Sequence, residues 1–383
     1  MASHKSLDIF LEITRRCNLK CIHCTFPHES SAPFDMEVST FEHIAPSVLP
    51  NARSLILYGG EPLMHRNFFA VLAAIKKYEI PFVGFFTNGL LLDENAAKEI
   101  ISSGIYRVLI SIDGATKATY ESVRRGATFE DLIANVITMN RLKALNHTRM
   151  PLLGFNFVIM RRNLAEMPML VELASSMDAD LVNFAHLTLH PCLGLEREVL
   201  RGEELKEIYN SRFDRAVEIA KCEGIRIFAP PKLAAVAGTK TQMCRHLKKY
   251  LNSAAGHVGT VWPIIARQSA QLKHRMFRGK FNAEKYHLCR TPWEIFEVRA
   301  NGDVHTCFCG RRGVVGNLLK QTFDEIWEGE QFQSLRRSLS GLSRIDRTCK
   351  KCPDRSRNML SSGVFHEGIF GVDFWGSPQT PRE

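Results

Sequence analysis

Apolar and polar positions along the chain fall into short runs that alternate in kind. Continuous apolar stretches over residues 7–13, 54–58, 82–87, 107–112, 152–158 and 181–186 have the length and residue types of buried strands. Between them, residues 39–45, 67–78, 93–102, 128–145 and 164–177 read as helices, with apolar positions three and four apart. Six strands, each followed by a helix, predict parallel pairing through right-handed crossovers. An open doubly wound sheet and a partial (β/α)6 barrel both satisfy this order, and either gathers its chemistry beyond the C-terminal strand ends. After residue 187 the pattern weakens to one further helix over 203–224 and a short strand over 226–228. Residues 232–285 are basic and without a clean period. Alternation returns over 294–306 around Asn301-Gly302, a hairpin turn pair, followed by helices over 322–327 and 331–339. The expected organisation is an α/β unit over 1–228, a basic insertion or linker over 229–285, a small α+β unit over 286–360 and a tail over 361–383.

Composition narrows the class. The chain has 383 residues, 45% hydrophobic and 23% charged, which is globular rather than disordered or fibrous. No apolar run approaches the roughly 20 residues of a membrane span, and residues 1–7 lack an apolar signal segment, so a cytoplasmic protein is expected. Lys and Arg number 50 against 40 Asp and Glu, a formal charge of +10 that favours an anionic partner. The basic residues are spread out, however, and a solvated basic surface accounts for them equally well.

The eleven cysteines say more. In a reducing compartment, closely spaced cysteines hold metal or do redox chemistry rather than form disulfides. Cys17, Cys21 and Cys24 form one group; Cys307, Cys309, Cys349 and Cys352 form another, with Cys289 upstream. Cys192, Cys222 and Cys244 read as buried apolar residues, and His186 and His190 as core or loop histidines.

The triplet Cys17-Asn-Leu-Lys-Cys21-Ile-His-Cys24 directly follows the first predicted strand. Soft thiolates at this spacing suit an iron–sulfur cluster with one open iron, or zinc with a fourth ligand such as His23 or His28. The arrangement resembles the radical S-adenosylmethionine (SAM) superfamily, whose signature is a Cys-x3-Cys-x2-Cys loop after the first barrel strand. His23 stands where that family usually has an aromatic residue. The later strand ends match in order. Gly59-Gly60-Glu61 resembles the segment that contacts the SAM amino group, and Thr87-Asn88-Gly89 ends the third strand. Ser111-Ile112-Asp113-Gly114 resembles the ribose- and methionine-binding segment. Arg125 is expected on the following helix, where relatives place an arginine on the methionine carboxylate. The resemblance implies a SAM-bound [4Fe-4S] cluster on Cys17, Cys21 and Cys24.

From Cys289-Arg-Thr-Pro-Trp293 to Cys349-Lys-Lys-Cys352-Pro353 the chain resembles the SPASM and shorter twitch extensions of that superfamily, which hold auxiliary [4Fe-4S] clusters. A full two-cluster form needs cysteines after the last pair, and none follows Cys352. The resemblance therefore implies one auxiliary cluster on Cys289, Cys307, Cys349 and Cys352, with structural zinc as the alternative. Cys309 is left over as a candidate catalytic thiol.

The implied activity is reductive cleavage of SAM to a 5′-deoxyadenosyl radical that abstracts a substrate hydrogen atom. The expected outcome is oxidation or epimerisation of a small-molecule or sugar-type substrate, anionic in character. A flavodoxin or ferredoxin is the expected one-electron reductant. A peptide or protein maturase, of the ribosomal-peptide or sulfatase type, is the alternative. Only sixteen residues precede Cys17, which leaves no room for a leader-recognition domain and counts against it. A non-catalytic metal protein binding nucleic acid is the third reading; the absence of an aromatic-basic stripe speaks against it.

Overall fold

The computed structural model describes residues 7–26, 34–200, 202–230, 232, 291–306, 313–339 and 349. The first half alternates as expected: β1 (Leu7–Thr14), α1 (Val38–Val48), β2 (Ala52–Gly59), α2 (Phe68–Ile75), β3 (Phe82–Thr87), α3 (Glu94–Ser103) and β4 (Arg107–Ser111). Next come α4 (Lys117–Val123), α5 (Phe129–Leu145), β5 (Leu152–Ile159), α6 (Met167–Ser176), β6 (Leu181–His186), α7 (Glu203–Glu223) and β7 (Arg226–Phe228). The short helix α4 lies in a stretch where the apolar period predicts none. The second part holds α8 (Thr291–Glu294), β8 (Ile295–Val298), β9 (Asp303–His305), β10 (Val314–Asn317), α9 (Phe323–Trp327) and α10 (Glu330–Leu339).

All ten strands form one sheet in the order β10-β9-β8-β1-β2-β3-β4-β5-β6-β7. From β1 to β7 spatial order follows chain order, and every neighbouring pair is parallel. That order decides between the two architectures the pattern allows. A doubly wound sheet reverses direction at a switch point, whereas right-handed crossovers without reversal put every helix on one face. The core divides accordingly. Ile9, Leu11, Leu55, Leu57, Val108, Ile110, Phe155 and Phe184 pack with helical residues such as Phe41, Val71, Ile100, Met139 and Val171. The opposite face, a lumen, buries strand residues alone: Phe10, Ile56, Leu109, Leu181, Phe228 and Ile295. Gly154 makes room there, because a Cβ would stand 2.7 Å from Leu181 and 2.8 Å from Leu109. This is the partial-barrel arrangement.

The hairpin of the second part joins the sheet of the first. β8 pairs in parallel with β1, matching Phe10 to Glu297 and Leu11 to Val298, so the barrel sheet continues into the C-terminal segment. The turn also differs from a two-residue type. Gly302 N–H donates to Arg299 O at 2.9 Å, and Gly302 has φ +82°. Arg299 N–H then donates to Asp303 O at 2.8 Å, which makes a tight turn closed by a glycine bulge. Phe296 on β8 anchors the segment against Phe323, Phe332 and Trp327 at ring separations of 4.9, 6.1 and 5.9 Å. The insertion after residue 232 and the tail from 361 lie outside the described residues.

Because Phe296 is wholly buried in that aromatic cluster, Phe296→Ala should cost about 3–5 kcal/mol. Chemical denaturation of the full chain reads this directly, and a loss under 1 kcal/mol would contradict the packing described.

Candidate functional site

The cysteine loop starts where β1 runs out. Thr14 donates its hydroxyl to Asp35 Oδ1 at 2.6 Å and accepts from the Arg16 amide at 3.1 Å, which turns the chain away from the sheet. Leu19 N–H then points at Cys17 Sγ at 3.4 Å. Two backbone bonds tie the loop to the end of α4, Lys20 N–H to Arg125 O at 2.9 Å and Ile22 N–H to Val123 O at 3.0 Å. Burial pushes all three thiols upward, Cys21 to about 11 against the opposing pull of Arg124. A thiol so placed gives up its proton to a metal rather than to water.

Among the described residues, no three such side chains converge closely enough to hold one ion. Tetrahedral zinc would bring sulfurs to about 3.8 Å of each other, from a Zn–S bond of about 2.3 Å. A four-iron cubane instead holds each thiolate on its own iron. His23 is also withdrawn from the zinc alternative. Its Nε2 faces Asp113 Oδ2 from 3.6 Å rather than turning to the thiols, and burial pushes its imidazole below the usual histidine range. His28 lies outside the described residues.

The end of β2 locks onto this loop. Gly60 N–H donates to Thr14 O at 2.8 Å and Glu61 N–H to Arg16 O at 2.7 Å. The approach permits no side chain: a Cβ on Gly59 would stand 2.0 Å from Thr14 O, and one on Gly60 2.2 Å from Arg16 O. Gly59 also has φ +141°. Glu61 departs from the expected ammonium contact. Its buried carboxylate accepts from Leu63 N–H at 3.1 Å, Thr87 Oγ1 at 2.7 Å and Asn88 N–H at 2.6 Å, so it braces β2 against the end of β3. Asn88 carries the brace onward, donating from Nδ2 to Asn18 Oδ1 in the cysteine loop at 2.7 Å.

Beyond β4 lies a fully enclosed charge. Asp113 is fully buried; its Oδ1 accepts from Val158 N–H at 2.7 Å and its Oδ2 meets Arg124 Nη2 at 2.8 Å. Its carboxylate therefore faces Arg124 and His23 rather than standing free for a ribose. The arginine expectation shifts by one residue. α4 ends at Val123, so Arg124 caps it and turns inward, while Arg125 lies exposed in the following turn instead of on the helix. Arg124 Nη1 reaches Cys21 Sγ at 3.8 Å. A cavity of about 610 Å³ opens beside the loop, lined by Lys20, Cys21, Ile22, Arg125, Arg162 and Leu195 among others.

Ser111 belongs to a polar layer on the lumen face that motif reading does not find. It pairs in register with Asn156, and Asn156 accepts from Asn183 at 2.6 Å. On the other side, Tyr58 donates to Glu297 Oε1 at 2.6 Å. Arg299 joins Glu12 at 2.7 Å and Glu297 at 3.0 Å. Among the described residues, Glu297 Oε2 is buried without a partner. Period-two alternation on β1, β2 and β8 is the signal that puts these side chains on one face. Cys289, Cys307, Cys309 and Cys352 lie outside the described residues; Cys349 is half-buried. Cys192 and Cys222, expected in the core, are exposed, because one sits in the loop after β6 and the other on the open side of α7.

Comparison with known proteins agrees with this layout. The family model of the radical SAM superfamily matches residues 11–168, and that of the SPASM iron–sulfur cluster-binding domain matches residues 289–353. The AdoMet-dependent heme synthase of Methanosarcina barkeri is 25% identical over 93% of this chain and 93% of its own. The pre-heme d1 synthase of Dinoroseobacter shibae is 28% identical over 84% of this chain and 73% of its own. In fold, Streptococcus suis SuiB bound to S-adenosylmethionine aligns with TM-score 0.62 at 13% identity, over 91% of this chain and 71% of that one.

Gly60→Ala must push the Arg16 carbonyl aside and loosen the cysteine loop. Iron retained after oxygen-free reconstitution should fall at least about tenfold, a loss of some 1.4 kcal/mol or more in binding. Unchanged iron would show that the strap does not shape the site.

Proposed function

From a chain that belongs to the radical SAM superfamily and ends in a SPASM iron–sulfur domain, we infer that it oxidises an anionic small molecule by hydrogen-atom abstraction. The observation that carries this reading is the cysteine loop strapped to the ends of β2 and β3, through Gly60, Glu61 and Asn88. Cys17, Cys21 and Cys24 would hold the [4Fe-4S] cluster. With bound SAM, the cluster supplies a carbon-centred radical, chemistry that no side chain can provide.

The protein's own residues position and exclude. Gly59 and Gly60 let the end of β2 lie directly against the cysteine loop, which would hold the methionine portion of SAM close to the cluster. Asn88 and Ser111 present polar groups at neighbouring strand ends, and Glu61 keeps those ends in register. The apolar floor of Phe10, Ile56, Leu109 and Leu181 keeps water from rising through the lumen. Lys20, Arg125 and Arg162 give the cavity beside Cys21 a cationic wall suited to carboxylates. Glu297 Oε2 is the acceptor for the proton that an oxidation releases, with Tyr58 and Arg299 holding Oε1 in place.

Cys289, Cys307, Cys349 and Cys352 would hold one auxiliary cluster, the sink for the second electron. Cys309 would be the leftover thiol able to return a hydrogen atom, which would turn oxidation into epimerisation. A flavodoxin or ferredoxin would deliver the first electron. Two relatives that align along most of this chain are named for heme and pre-heme d1 synthesis. Tetrapyrrole carboxylates are therefore the first substrates to try.

Reconstituted protein should carry about eight irons with matching sulfide, two four-iron clusters. Dithionite should then release 5′-deoxyadenosine from SAM, faster with substrate present. Alanine at Cys17, Cys21 or Cys24 should abolish that release, whereas Cys349→Ala should keep part of it. Release by the triplet variants at the wild-type rate would defeat the proposal.

A further inference from the structure

Arg124 stands apart from the other cations of the site. Lys20 and Arg125 are exposed, but the Arg124 side chain is only 8% exposed and its surroundings fix both ends of its fork. Nη2 lies 2.8 Å from Asp113 Oδ2, and Nη1 points at Cys21 Sγ from 3.8 Å. Asp113 cannot swing away. Val158 N–H holds its Oδ1 at 2.7 Å, and Asn163 Nδ2 holds its carbonyl at 3.0 Å. Asn163 is itself buried and reaches Val158 O at 2.9 Å, so β5 and the turn that follows it grip the aspartate together. With Nη2 committed to a fixed carboxylate, Nη1 is turned toward the sulfur, while Nε is buried without a partner among the described residues.

We propose that Arg124 is a positioning residue whose N–H···S contact with Cys21, held by Asp113, raises the reduction potential of the cluster on Cys17, Cys21 and Cys24. This rests on the reading that those three cysteines hold a [4Fe-4S] cluster. Hydrogen bonds to ligand sulfurs and fixed nearby charge are levers that set such potentials. One electron enters the cluster from a reductant, and the reduced cluster carries one more negative charge. A guanidinium near a ligand sulfur stabilises that form more than the oxidised one. Its charge does not titrate in the working range, so the effect persists at every useful pH. Asp113 offsets part of the charge, and its main contribution is orientation. The motif carries the same logic in its order, since the helix cap that supplies Arg124 is hydrogen-bonded to the cysteine loop through Val123 and Arg125.

The test is a redox titration of the reconstituted full chain, poised with dithionite and mediators and followed by electron paramagnetic resonance. The relevant signal is the one that changes when SAM is added and vanishes in Cys21→Ala. In Arg124→Gln, the oxidised-to-reduced ratio of that cluster at a fixed potential should rise about tenfold, a fall of about 59 mV for one electron. Arg124→Lys should fall between the two, because an ammonium keeps the charge but loses the two-armed fork. Any signal that survives in Cys21→Ala should keep its midpoint in every variant, which separates a local effect from general damage. An Arg124→Gln protein that loads iron like the wild type and titrates within twofold of it would overturn the proposal. If Arg124→Gln does not load, Arg124→Lys decides, and a wild-type midpoint there overturns it equally. A wild-type chain with no such signal would instead defeat the cluster assignment beneath it.

Discussion

A carboxylate shut away from water must have its charge answered within the protein, and Asp113 sets the terms for everything around it. Removing an ionised group from water costs several kcal/mol unless donors and a counter-charge surround it. Here four groups gather at the residue: the Val158 amide on β5 donates to Oδ1, the Arg124 cap of α4 supplies the counter-charge at Oδ2, His23 of the cysteine loop lies 3.6 Å from Oδ2, and Asn163 holds the Asp113 backbone carbonyl. None of the four is near Asp113 in the chain except α4. Satisfying one carboxylate therefore draws the cysteine loop, the helix end and two strands to a common point. The strap at Gly59 and Gly60 works from the other side of the loop, with backbone in place of charge. Between these two fixings the loop has little freedom, and the cysteines inherit their positions from groups that carry no sulfur.

The architecture was readable because strand periodicity is a short-range property. The six strands of the first half lie within a few residues of their expected limits, and their order in the sheet follows chain order. What the pattern left open, barrel or doubly wound, depends on which face the helices take. That is settled by pairing order, which no local window contains. The family's cofactors, a SAM-bound cluster and an auxiliary cluster, follow from the two domains that match.

Where sequence and structure part, the causes are physical. Helix α4 has seven residues, too few to display a period, so the sequence does not show where it ends or which of Arg124 and Arg125 turns inward. A shift of one residue turns a side chain through about 100° on a helix of 3.6 residues per turn, enough to exchange inside for outside. Glu61 stands in a motif that invites a ligand role, and its carboxylate also has partners within the protein. The donors that occupy it, Thr87 and Asn88, lie 26 and 27 residues away. The lumen layer of Glu12, Tyr58, Glu297 and Arg299 joins residues from both ends of the chain. No spacing rule links positions so far apart. Cysteine is usually a buried residue type, but at Cys192 and Cys222 the place in the fold prevailed.

The pairing of β8 with β1 sets an order of events on the ribosome. β1 is made first and gains β2 on one side within some forty residues, but its other edge stays bare until residue 295 emerges. At about 5–20 residues per second, that is a wait of roughly a quarter of a minute to a minute. Throughout it, the strand that leads into the cysteine loop offers an open row of amides and carbonyls to any other extended chain nearby. The nascent protein is thus most vulnerable to aggregation at the very edge that the finished one hides, and slower synthesis prolongs the exposure.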